Sequence, residues 1–182
     1  LQDAIAKGVP EVQRRLGQHL NGAANVFAAL NAAFLLDGAF VHIPRGAVPE
    51  KVVHIVHVAT GRDGDAALYP RSLIVAEENS EATLIESFVS LAGGKRYLRN
   101  EVSEVHLADG AQLRRCKVLD EGENGCHLST AKVHQSRDSR FTSYSFFLGG
   151  KIGRNELSVA LDGEGAECSL NGLYLTDGDQ LI

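Results

Sequence analysis

Two hydropathy textures divide the chain. Over residues 1–36 the apolar positions recur at steps of three or four. Ile5, Val9, Val12, Leu16 and Leu20 trace one stripe, the spacing of an amphipathic helix. Gly8 and Pro10 interrupt it, which predicts two short helices rather than one long one. The alanine-rich run NVFAALNAAFLL predicts a further helix, stopped at Asp37-Gly38. From Ala39 onward the period changes to two. FVHIP, VVHIVHV, SLIVAE, ATLIESFV, SEVHLA, TAKVHQ, ELSVAL and CSLNGLYL are segments of this kind. Their β-branched and aromatic content predicts strands.

Short polar turns separate the strands: PRGA, EENSE, ADGA, SRDS and DGEG. With Gly46, Asn79, Asp109, Asp138 and Gly163 as markers, the turns recur at roughly 25 to 33 residues, within the range of stacked repeats. Each unit reads as strand, tight turn, strand and connection, without a helical pattern. That suits the rungs of a β-solenoid, in which each strand pairs with its counterpart in the next rung. A β-sandwich would also supply many short strands and is the competing architecture. The predicted organisation is a helical lead-in over 1–36 and a β-helix core over 37–182.

Composition narrows the functional classes. The chain has 182 residues and a net charge of −5, with no basic block to bind nucleic acid. No apolar run approaches the ~20 residues of a membrane span. Cys116, Cys126 and Cys168 are too few and too scattered for a disulfide framework, which suggests a reducing, cytoplasmic setting. The chain contains no Met and opens on Leu1, so it is expected to be a piece of a longer protein, with a core incomplete at both ends.

Candidate chemistry is sparse. His54 and His57 are three apart on a strand and point to opposite faces, so one ion cannot take both without a bulge. They, and His42, read as strand residues. The cysteines lack CxxC spacing and read first as small core residues. Stacked rungs could still gather Cys116, Cys126 and His134, which are the candidate metal ligands. Asp109, Asp120, Glu121, Glu123, Asp162 and Glu164 fall in or near turns, where acids are usually solvated. The paired carboxylates of a β-helical carbohydrate-active enzyme are therefore not evident, and Trp, a common sugar-stacking residue, is absent. No GxGxxG or P-loop motif is present, and Gly149-Gly150-Lys151 reads as a turn. No catalytic motif appears.

FAALNAAFLLDGAFVHIPRGAVPEKVVHIVHV, YPRSLIVAEENSEATLIESF and NGLYLTDGDQ, in that order, resemble the SufB/SufD family of the SUF iron–sulfur cluster assembly system. The ending Asn171-Gly172-Leu173-Tyr174 resembles the SufD-like form. The resemblance implies a right-handed parallel β-helix flanked by helical parts. It implies a non-enzymatic scaffold subunit with a structural and iron-handling role, a SufB-like partner and the SUF ATPase. Any iron or cluster would be handled by the assembled complex, and no ligand residue is carried over. Open strand edges would allow self-association. A carbohydrate-active β-helix and a plain interaction solenoid are the alternatives.

Overall fold

A computed structural model describes residues 1–20, 25–61, 65–91 and 93–182. Among the described residues, three short helices come first: α1 (Gln2–Ala6), α2 (Pro10–Arg15) and α3 (Val26–Ala33). Gly8, with a left-handed φ of 66°, makes the break between α1 and α2. Asn25 caps α3 by accepting from the amides of Phe27 and Ala28.

Eleven strands follow among the described residues: β1 (Gly38–Ile43), β2 (Val53–Ala59), β3 (Ala66–Leu68), β4 (Arg71–Ala76), β5 (Glu81–Ser90), β6 (Tyr97–Leu107), β7 (Gln112–Asp120), β8 (Gly125–Gln135), β9 (Arg140–Phe147), β10 (Ile152–Leu161) and β11 (Glu167–Tyr174). All pairings between them are parallel. One sheet runs β1-β4-β6-β8-β10, with β3 beside β6. The other runs β2-β5-β7-β9-β11. Apart from β3 and β4, which share a sheet, consecutive strands alternate between the sheets and form a parallel β-solenoid, with register partners 26 to 33 residues apart. A sandwich, which is antiparallel, is excluded.

Stacked turns set that register. Gly46, Asn79, Gly110, Asp138 and Gly165 all have left-handed φ, one per rung. Their amides climb the stack: Gly46 donates to the Glu78 carbonyl, Asn79 to Asp109, Gly110 to Arg137 and Asp138 to Glu164. Asn and Asp tolerate this conformation better than other non-glycine residues. At Gly110 a Cβ would also come within 2.4 Å of the Asn79 side-chain oxygen, which would have to move to admit it.

Inside the solenoid, identical strand positions stack. Ile74, Val105 and Val133 form one ladder, and Ala82, Leu113 and Phe141 face them. This apolar half lies beside the turn stack. Phe88, Leu119 and Phe147 form a second apolar ladder. Outside, the helical lead-in covers the first sheet. Val12 packs on Leu73 and Val75, while Leu20 and Ala28 pack on Val102. Buried Asn31 donates to the carbonyls of Pro70 and Asn100. Glu104 accepts the Gly17 amide and the Arg71 guanidinium, locking the lead-in loop onto the sheet. This cover explains why every residue of β4 is buried.

Candidate functional site

Between the two apolar ladders the interior is charged. Alternation sends Arg99, Glu101 and Ser103 of β6 inward, and His127 and Ser129 of β8 stack against Arg99 and Glu101. From the opposite sheet come Glu86 of β5 and Arg115 and Lys117 of β7. Glu121, just past β7, completes the set. All are buried.

The contacts are short and form a chain. Arg115 binds Glu86 at 2.6 Å and donates to Ser103 at 3.1 Å. Lys117 binds Glu101 at 2.6 Å, and Ser129 also donates to that carboxylate. His127 meets Glu121 through Nδ1 at 2.7 Å, and its Nε2 lies 3.9 Å from Glu101. Arg99 pairs with Glu121 at 2.9 Å, and the Tyr97 hydroxyl donates to it at 2.6 Å. Three carboxylates thus face three cations. Phe88 sits among them, with Arg99 5.3 Å and Lys117 5.0 Å from its ring centre. His57 stacks on the same ring at 4.5 Å, and His127 meets it edge-on at 4.9 Å. A cleft of about 240 Å³, lined in part by His57 and Arg99, opens beside one end of the chain.

Burial alone would raise the Glu101 carboxyl. Lys117, His127 and Arg115 more than offset it and hold the group well below the usual carboxylate range. Glu121 is likewise lowered: burial opposes ionisation, but His127 and Arg99 prevail. Burial lowers the Lys117 ammonium, partly countered by Glu101. Burial also lowers His57 from its ordinary 6.5.

These shifts give stability a direction with pH. His57, depressed in the fold, contributes stability above pH 6.5 that is lost as pH falls below it. Glu101 and Glu121, depressed from 4.5, contribute above that value and lose it at lower pH. Urea midpoints should therefore decline as pH falls below about 6.5, and drop more steeply below about pH 4.5. A midpoint unchanged from pH 7 to pH 4 would contradict this.

The positions singled out in the sequence fall as follows. His54 and His57 point to opposite faces: His54 bonds Ser87 outside at 2.9 Å, and His57 turns inward onto Phe88. His42 lies 3.4 Å from Glu77. Cys116 is on β7 in one sheet, while Cys126 and His134 are on β8 in the other, eight residues apart. Among the described residues, the one group of metal-type donors whose ligand atoms converge is His19, His106 and His134. Glu121 differs from the solvated turn acid its neighbourhood suggests. Its side chain is fully buried, because Arg99, His127 and Tyr97 compensate the charge. The converging carboxylates Glu101 and Glu121 are enclosed by the solenoid and do not face an open groove.

Residues 57–182 match the family model described as SUF system FeS cluster assembly, SufBD core domain, more than half of the chain. The chain belongs to the SufB/SufD family. It is 27% identical to an iron–sulfur cluster assembly SufBD family protein of Synechocystis, over 91% of this chain and 38% of that protein. It is 29% identical to SufD of Escherichia coli, over 84% of this chain and 36% of that protein. To SufD of Bacillus subtilis it is 36% identical, over 47% of this chain and 19% of that protein. The chain is thus SufD-like and spans little more than a third of the length of the first two relatives. The match falls on the solenoid, so the buried charged chain belongs to the SufBD core. No helix among the described residues is long and apolar enough to cross a membrane.

Proposed function

We propose that this chain is the β-helical core of a SufD-like scaffold subunit. It works with a SufB-like partner and the SUF ATPase, in the cytoplasm, without turnover of its own. The supporting observation is the coincidence of the SufBD core match with the solenoid rungs. A rigid stack of parallel strands suits a scaffold, since extended solenoid surfaces are typical binding platforms. Among the described residues, the close acid–base constellation inside it is charge-balanced and buried, which favours rigidity over catalysis. Iron and sulfide are cargo of the assembled complex in this reading.

The test is cluster formation in a reconstituted SUF assembly, followed by the visible absorbance of an acceptor protein. Omitting the protein that carries this chain should slow transfer strongly. Equal rates with and without it would overturn the scaffold role.

A further inference from the structure

The outer face of the first sheet holds a second cluster, separate from the buried ion pairs. His106 on β6 and His134 on β8 are register partners in adjacent rungs. Their backbones therefore lie about 4.8 Å apart, with both side chains on one face. His19, on the loop after α2, lies over both, with ring centres 5.0 Å from His106 and 4.6 Å from His134. One ring nitrogen from each of the three lies within 4.8 Å of the others.

His106 gives the cluster its chemical meaning. It is 2% exposed, and neither ring nitrogen has a hydrogen-bond partner. The Arg15 backbone lies nearby but outside hydrogen-bond geometry. A buried imidazole with both nitrogens unsatisfied is unusual and calls for a missing partner. His134 is oriented from outside, because its Nε2 lies 2.7 Å from the Asp162 carboxylate. With that proton donated to Asp162, the lone pair is on Nδ1. A histidine held by a carboxylate is the common outer arrangement of metal sites.

We propose that His19, His106 and His134 form a site for a borderline divalent transition-metal ion of the zinc or ferrous type, with Asp162 orienting His134 and a fourth position open to water. Three imidazoles are the ligand set such ions take, at about 2.0–2.1 Å from each nitrogen. Tetrahedral coordination then needs nitrogens about 3.4 Å apart. The remaining closure falls to His19, which is exposed and stacked at 11° on His134, and whose ring turns to converge. Glu104 and Asp162 favour a cation near His19, and Arg15 opposes it. The bound ion fastens the lead-in loop to two rungs of the solenoid. This site stands on its own geometry and does not depend on the scaffold reading.

Cobalt(II) is the probe, because three nitrogens and an oxygen in tetrahedral array give intense visible d–d bands. Chelator-treated, dialysed wild-type protein should bind one Co²⁺ per chain, and Zn²⁺ should displace it. His19→Ala and His106→Ala should each weaken binding by more than about 100-fold, beyond the usual cost of losing an outer-shell partner. His54→Ala, on the other sheet, should bind normally. His19→Ala removes an exposed loop side chain, so circular dichroism should show its fold intact even if His106→Ala misfolds. Absence of saturable Co²⁺ binding, unchanged affinity in His19→Ala, or an equal loss in His54→Ala would overturn the site.

Discussion

Replacing Lys117 by Met should destabilise the chain by about 3–5 kcal/mol, the usual cost of stranding one partner of a buried ion pair. Lys117 lies 2.6 Å from Glu101 and also donates to Ser129. Without it, Glu101 keeps the Ser129 hydroxyl, a distant His127 and an Arg115 nitrogen 3.7 Å away. None of these replaces the lost ammonium. The double variant Lys117→Met/Glu101→Gln removes both charges and should recover most of the loss, since neutral replacements of buried pairs are often tolerated. Urea denaturation of the four proteins in this cycle measures the coupling directly. A single-variant cost below about 1 kcal/mol would mean that the pair behaves like a solvated surface bridge.

Phe88→Ala should cost about 3–5 kcal/mol, as expected for emptying a fully buried aromatic site. The loss has two origins. One is the cavity left between Leu119 and the ring's other neighbours. The other is removal of the surface on which His57, His127, Arg99 and Lys117 all rest. Phe88→Leu separates them, since it refills most of the volume but supplies no π face. It should still cost roughly 1–2 kcal/mol, of which cation–π contacts account for a part. If Leu restores full stability, the cations draw nothing from the ring.

The rungs were legible because their turns repeat and their outward and apolar inward positions alternate. The predicted spacing of 25 to 33 residues compares with register steps of 26 to 33. The markers at Asp109 and Gly163 fall one and two residues before the left-handed positions, Gly110 and Gly165. Strands β7 and β9 were not among the segments the pattern picked out, and the reason is physical. Their inward positions include Arg115, Lys117, Ser143 and Ser145, so the apolar alternation fails where the interior is polar. For the same reason Glu121 read as a turn acid. A buried charge becomes recognisable only once its partners on other rungs are known, and these lie 22 and 24 residues away for Arg99 and Tyr97.

The histidines show both sides of this. Strand parity was enough to separate His54 from His57. It could not unite His19 with His106 and His134, because that needs the fold of the lead-in loop. A signal did exist: Val-His recurs in SEVHLA and TAKVHQ, 28 residues apart, which is one rung.

Co-purification tests the central claim most directly. The full-length protein carrying this chain would be co-expressed with a SufB-like subunit and the SUF ATPase, with one affinity tag on the SufB-like chain. The scaffold account predicts a single stable complex containing all three, seen as one mass by native mass spectrometry. Elution of this protein alone, with the other two recovered together without it, would contradict the account.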